Sequence, residues 1–568
     1  MPNSYESLRE GSRRAQAADG RPPGYFVRLR GPRRGWLRPF KWLDPRSLLQ
    51  SRNDFVARMH DPVHDLRREW MKLLDPEGAG NPDLVIDRRR PGGRSSLLVL
   101  GDPGEGDSSQ WVLVPAIRSL SAETDLMIVC SDVIYPTGDV NDYPQKFFEP
   151  YSGYDKPIYA LPGNHDWYDQ LQGFMFAFCH RQPPEGMEPR LPWLLGRLWR
   201  RPKPVSARTR ERRDAFAGRP DPPQPGPYWV MDLGPVALVA IDTGICGELD
   251  REQGDWLQRV SRRIDKPKVL LTGKPIYVDN AYHPGPVEQR DFTVDQVVRE
   301  PTHRYVAAIG GDIHNYQRYP VRLSDTQQIE YLVAGGGGAF MHATHRIAPI
   351  DLGHVSENGS NPDPEHGDGF RCFPLRGASL EFYQRVLIPK LRHLIGLVTL
   401  IGLVFGAAAG VLLGLCAPRW WALEGGILLA LPALGSLLAL RYVARLGAFQ
   451  VCFRRRQAWL TPSEAAQYMA DRMADGQPTL EPRQTLSPQK ERLAELIWPR
   501  FGRTRGALHQ FFSEIFDIDD PPLYKQFLRL DVTPEELTIS CLVAVGTEGK
   551  DDPPALEDRI RIPLPPAP

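Results

Sequence analysis

Four short strings place oxygen and nitrogen donors where a cation could be held. They are Gly101-Asp102-Pro103-Gly104, Ser131-Asp132-Val133-Ile134-Tyr135, Gly163-Asn164-His165-Asp166 and Gly311-Asp312-Ile313-His314. Each follows an apolar run of buried-strand length, at 97–100, 126–130, 157–161 and 305–309. An Asp at the end of a buried strand faces the carboxyl edge of the sheet, where open α/β folds gather their ligands. Two carboxylates held there repel unless something positive sits between them. Asp102, Asp132 and Asn164 offer hard oxygens, Tyr135 a phenolate and His314 an imidazole, a set that suits a divalent or trivalent ion such as Mn, Fe or Zn. One Asp after one strand is an ordinary turn residue. Four such loops in one domain are a pattern.

The elements that must position these loops run from 95 to about 340 as strand, loop and helix in repetition. Further strands are expected at 228–232, 236–241, 268–271 and 331–334, the first two forming a hairpin at Gly234-Pro235. This is an α/β domain with a largely buried sheet. It is interrupted at 182–227 by a Pro- and Arg-rich stretch, read as a surface excursion with a short helix near 193–199. After Asp520-Pro521-Pro522, runs at 527–532, 537–545 and 559–562 read as strands. They return to the first sheet or form a β module of their own.

The full chain has 568 residues and a net charge of +1, so no overall field argues for nucleic acid or an acidic partner. Charge is local: residues 1–60 carry 13 Lys and Arg against 5 Asp and Glu. That segment, with a helix expected around 54–74, is either a solvated arm or a face for anionic lipid. Seven scattered cysteines without a Cys-x-x-Cys pair fit a reducing compartment, and no cleaved signal peptide is expected. Residues 394–418 hold no charge, and 420–440 are interrupted only by Glu424. Two such stretches read as a transmembrane hairpin through the lipid bilayer. Lys390 and Arg392 precede it and Arg441, Arg445 and Arg454 follow it, which places both ends, and the catalytic domain, in the cytoplasm. Gly402, Gly406, Gly410 and Gly414 make a smooth ridge for packing within the hairpin or for a homo-oligomer. Amphipathic helices are expected over 446–520. The domain limits are thus 1–92 for the basic segment, 93–385 for the site-bearing domain, 386–445 for the hairpin and 446–568 for helices followed by strands.

The order Gly-Asp-x-Gly, Asp-x-x-Tyr, Gly-Asn-His-Asp and Gly-x-x-His resembles the calcineurin-like metallophosphoesterases. The added Tyr is similar to the purple acid phosphatase pattern. The stretch 161–168, Leu-Pro-Gly-Asn-His-Asp-Trp-Tyr, is its sharpest part, and the strings at 312–319 and 334–340 look like a membrane-associated branch. The resemblance implies an αββα sandwich, here with an inserted transmembrane hairpin, holding one or two metals and hydrolysing a phosphate ester. Carried over, Asp102, Asp132, Tyr135 and His314 would hold the first metal, Asp132 would bridge, and Asn164 would bind the second. His165 would stand beside the leaving group, with Asp166 orienting it and raising its pKa.

Two positions depart from that pattern. The His-x-Pro string of the family is Gly273-Lys274-Pro275 here, and the first His of Gly-His-x-His is Asp312. Asp312 would keep the second metal in an oxygen-rich seat, or Lys274 would place its ammonium there and pair with Asp312, or the site has become a binding surface. The last of these makes the chain a catalytically silent, membrane-tethered scaffold. His283 would contact substrate, or sit on an ordinary loop. His342 and His345 could overhang the pocket, and Gly335 to Gly338 would let backbone approach the metal loops.

Overall fold

The structure, a computed structural model, describes residues 30–31, 35–36, 45–183, 186–324, 327–344, 347, 369–376, 379, 524–544 and 554–565. The apolar stretches at 394–418 and 420–440 with their glycine ridge, the helices expected over 446–520, and His345 lie outside the described residues. Among the described residues no helix is long and apolar enough to cross a membrane.

Three helices open the domain: α1 (Pro45–Gln50), α2 (Arg52–Met59) and α3 (Val63–Leu74). The strands follow as β1 (Val85–Asp87), β2 (Ser95–Gly101), β3 (Leu126–Cys130), β4 (Ile158–Leu161), β5 (Trp229–Asp232), β6 (Ala237–Ile241) and β7 (Lys268–Thr272). Then come β8 (Tyr305–Gly310), β9 (Tyr316–Arg322), β10 (Gln328–Ala334), β11 (Arg371–Phe373), β12 (Lys525–Val532), β13 (Glu536–Ala544) and β14 (Ala555–Pro563). They build a mixed α/β fold with two sheets. One has eight strands in the order β11-β9-β10-β8-β7-β6-β5-β1; the other has six, β14-β13-β12-β2-β3-β4.

Near-continuous burial explains the apolar runs. Every residue of β3, β4, β6 and β7 is buried, as strands covered on both faces require. β2, β3 and β4 are parallel neighbours, so their loops emerge at one edge. The C-terminal strands belong to the same sheet, because β12 pairs antiparallel with β2, Leu528 opposite Val99. The two sheets meet where their parallel strands end. The Cys130 thiol reaches the carbonyl of Thr272 at 3.4 Å, and Gly337 N donates to Gly101 O at 2.8 Å. A side chain at Gly337 would put its Cβ 2.2 Å from that same oxygen, which is why the glycine run can lie on the Asp102 loop.

Two boundaries differ from the expectation. The domain reaches back to residue 45, since Val56, Leu66 and Trp70 of the opening helices share a core with Leu98, Met127 and Trp167. The 182–227 stretch is no mere excursion either. Trp199 and Phe216 enter that core, and the buried Arg200 bridges Asp139 at 2.7 Å and Asp169 at 3.0 Å. Its arginine content hides this, because a buried guanidinium is stable only where carboxylates from elsewhere in the chain meet it.

Candidate metal centre

The ends of β2, β3 and β8 bring Asp102, Asp132, Tyr135 and His314 to one point. The Tyr135 hydroxyl lies 3.1 Å from Asp102 Oδ1, 3.1 Å from Asp132 Oδ2 and 3.0 Å from His314 Nε2. His314 Nδ1 is 2.7 Å from the Phe340 carbonyl, so Nδ1 carries the proton and Nε2 offers its lone pair. Two carboxyl groups and an imidazole nitrogen thus converge on a hydroxyl with one hydrogen to give. Non-glycine residues take left-handed backbone in these loops, with φ of 52° at Asp102, 78° at Ser131 and 65° at Asp312. Such conformations cost about 1–3 kcal/mol each and persist where the surroundings impose them.

The charge pattern tests whether a cation fits. Burial raises the Asp102 carboxyl well above the usual carboxylate range, and Asp132 and Asp312 add repulsion. Asp132 is raised too, by burial and then in part by Asp312. Burial, with His342 behind it, pushes His314 well below the ordinary imidazole value, which leaves it in the neutral, ligating form. Among the described residues no three His, Cys, Asp or Glu groups are placed so as to hold an ion, and at this point the Tyr135 hydroxyl lies between Asp102, Asp132 and His314. Buried carboxyl groups that raise one another in this way, beside a neutral imidazole, are a donor set that a di- or trivalent cation would fit.

His165 flanks this cluster, its ring edge-on to Tyr135 at 4.7 Å, and its backbone N–H donates to Asp132 Oδ1 at 2.8 Å. Its orienting partner differs from the expected one. His165 Nδ1 meets the carbonyl of Pro136 at 2.7 Å, whereas Asp166 Oδ2 accepts from the backbone of Val133 and Gly163, both at 3.0 Å. Asp166 therefore staples two metal loops together and does not pair with the His165 ring. Consecutive residues at a helix start project in different directions, so the adjacency of His165 and Asp166 in sequence misleads.

The second seat is built differently. Asn164 Oδ1 is a buried oxygen without a hydrogen-bond partner. Asp312 donates its N–H to Asp102 Oδ2 at 2.9 Å and turns its carboxylate to Lys274, with Nζ 3.6 Å from Oδ1. Asp312 holds the Lys274 ammonium above its ordinary value against the cost of burial. Gly273 lies on the loop that carries Asn164: a Cβ there would sit 2.7 Å from Thr243 Oγ1 and 3.1 Å from the Pro162 carbonyl. His283 is exposed after the short strand Ala281–Tyr282 and makes no hydrogen bond or ring contact with these residues.

The model of the family described as calcineurin-like phosphoesterase matches residues 95–316. No curated protein matches the chain. Solved structures with a distant likeness include a purple acid phosphatase from yellow lupin (Lupinus luteus) seeds, 14% identical over 46% of each chain with a TM-score of 0.30. GAP50, the anchor in the inner membrane complex of Plasmodium, is 10% identical over 44% of this chain and 73% of its own, with a TM-score of 0.29. PhoD is 13% identical over 44% and 58%, with a TM-score of 0.26. The chain thus spans less than half the length of the lupin enzyme.

The fold also brings to this neighbourhood residues that none of the four strings contains. His342 stacks on His314 with ring centroids 4.3 Å apart and accepts from the His314 N–H at 3.0 Å. Lys146 donates to the Tyr135 carbonyl from a buried position. Arg67, fully buried on α3, binds Asp242 at 2.8 Å and Asp250 at 2.7 Å, and Asp242 accepts from Trp167 Nε1 at 2.9 Å. Only the positions of His342 just beyond the glycine run offered a sequence signal; Arg67 and Lys146 offered none.

Proposed function

We propose that this chain is a metal-dependent phosphoesterase that hydrolyses a phosphate mono- or diester. The observation that carries the reading is the convergence of Asp102, Asp132 and His314 on Tyr135 inside a calcineurin-like phosphoesterase domain. Asp102, Asp132, Tyr135 and His314 would hold one Mn, Fe or Zn ion tightly. Asn164 and Asp312, with Asp132 shared, form a weaker, oxygen-only seat for a second. A metal bound there would supply charge neutralisation for a phosphoryl group and would lower the pKa of a bound water.

The chain's own groups do the rest. The Pro136 carbonyl keeps a proton on His165 Nδ1, so Nε2 accepts in the neutral ring and donates to a leaving oxygen when the ring is doubly protonated. Lys274 places an ammonium beside the seat for a phosphate oxygen. Turnover of an aryl phosphate with Mn or Fe added, compared with Asp132→Ala and His165→Ala, tests this. Equal background rates in all three would refute it for that substrate class.

A second reading has its own observation: Gly273 brings no ligand and Lys274 already pairs with Asp312. A single metal, or none, would then be bound, and with none the domain is a membrane-tethered scaffold. Metal content by mass spectrometry separates the outcomes.

We further propose that residues 394–440 anchor the protein in a bilayer, with the domain and both ends cytoplasmic. Supporting this are the two apolar stretches and their flanking arginines. Also in favour is an exposed apolar face, comprising Leu49, Phe55 and Met59 on α1 and α2 with Trp193, Leu194 and Leu198 on the helix Trp193–Leu198. Arg58 and Arg197, the latter 4.2 Å over the Trp193 ring, give that face the charge to meet anionic headgroups. Extraction of the protein from membranes by carbonate would sink this proposal.

A further inference from the structure

We infer that the N-terminal helix α2 sets the orientation of the Asn164 amide through a two-step hydrogen-bond relay. The relay starts outside the matched family region, at Asp54. Tyr168 Oη lies 3.1 Å from Asp54 Oδ1, and Asn164 Nδ2 lies 2.9 Å from Tyr168 Oη. A carboxylate only accepts, so the single hydroxyl hydrogen of Tyr168 goes to Asp54. The hydroxyl oxygen can then only accept, so Asn164 must turn its NH2 group toward it. The carbonyl end is left pointing the other way, as a buried oxygen with no hydrogen-bond partner. An asparagine amide is nearly symmetric in shape, and without such a partner either end could face the site.

The remaining contacts hold the relay in place. Arg58 pairs with the other Asp54 oxygen at 2.8 Å, one helical turn on. Asn53 Nδ2 donates to the Tyr168 carbonyl at 2.9 Å, which ties the backbone of Tyr168 to the same helix. The Tyr168 ring lies 4.7 Å from the His165 ring and is buried. An ordinary phenol carries its proton at neutral pH, so the Tyr168 hydroxyl has one hydrogen to give. What the bare oxygen meets rests on the function proposed above: a neutral, hard ligand for the weaker cation seat. Asp54 and Tyr168 are positioning residues; neither touches the cation.

Two measurements on the full chain test this separately. In chelator, Asn164→Asp puts acceptors on both sides of one hydroxyl. It should lower the thermal midpoint by a few degrees, by much less when combined with Asp54→Asn, and with no dependence on residue 54 once Tyr168 is Phe. Effects of 54 and 164 that add regardless of Tyr168 overturn the relay, even if metal binds normally. Mn(II) titration is the second measurement. Asp54→Asn and Tyr168→Phe should each weaken the same equivalent by about tenfold or more, leaving the tight one unchanged. Uptake indifferent to both variants overturns the link from the relay to a ligand. If wild type takes up no Mn(II) while the 54–164 coupling persists, the relay holds and the metal reading of the site falls.

Discussion

The cluster at Tyr135 and the ground around Asp312 occupy the same sheet edge and share Asp102 as a neighbour, yet they solve the problem of negative charge in opposite ways. Around Tyr135, two carboxyl groups and a neutral imidazole face a hydroxyl, and none of the hydrogen bonds that join them comes from a cationic side chain. Beside Asp312, the chain supplies its own cation in Lys274. On the proposed reading, the first would take its positive charge from an ion in solution. The second is already partly neutralised, and any ion that binds there must displace or tolerate an ammonium. One site therefore holds a dependent half and a self-sufficient half.

The strongest way to break this contrast is Asp132→Ala. Asp132 contacts Tyr135 through Oδ2 and the His165 backbone through Oδ1, so both halves lose an anchor. Loss of the tight metal equivalent is expected, with a fall in kcat/KM of roughly a thousandfold or more, because several kcal/mol of charge stabilisation disappear. Metal retained at full stoichiometry would show that Tyr135 and its neighbours are not the dependent half. His165→Gln comes next. It should cut kcat by roughly a hundred- to ten-thousandfold while leaving metal content untouched, since the hydrogen bond that orients its ring goes to the Pro136 carbonyl.

Much of this edge is legible in the residues alone, and the reason is local. Strands such as Leu126–Cys130 are continuous apolar runs closed by a short polar loop, so the element and the candidate residue after it announce themselves together. What stays hidden depends on partners far along the chain. Tyr316–Arg322 is a strand in which Arg318 is buried against Glu330 at 2.9 Å, and its polarity masks its burial. Arg67 reads as part of a basic segment, yet its partners Asp242 and Asp250 lie more than 170 positions away. The same holds for Asp54, whose partner Tyr168 is 114 positions away, and for Asp166, whose carboxylate reaches back 33 positions to the backbone of Val133. Spacing shows which residue types are present at an edge but not which way each side chain turns.

Lys274→Met sharpens the contrast from the other side. With the ammonium gone, Asp312 loses its internal partner, so a second Mn(II) equivalent should bind more tightly, while KM for the phosphate ester rises about tenfold from a lost charge-assisted contact. Both changes can be read on one preparation, by titration calorimetry and by steady-state kinetics. If neither moves, the 3.6 Å pair is incidental and the two halves are not distinguished by charge.

The smallest effect on activity is expected at the opposite end of the same strand, where Lys268 gives the contrast a control. Lys268 opens the strand Lys268–Thr272 and Lys274 follows its end, but at Lys268 the pull of Asp265 is outweighed by burial. Its ammonium donates to the carbonyls of Ile264, Lys266 and His303, and burial pulls its pKa down to about 8 from 10.5. Between those values the unfolded chain binds the proton and the folded chain releases it, so stability should rise with pH from about 8 to about 10.5, with a slope of at most one proton, about 1.4 kcal/mol per pH unit. Denaturant midpoints of wild type and Lys268→Gln measured across that window should show the slope in the first and not in the second, with kcat/KM at neutral pH alike in both. A slope that survives in the variant assigns it to other groups. A loss of turnover would mean that the two ends of the strand are coupled, and that the lysine at the site does not act through Asp312 alone.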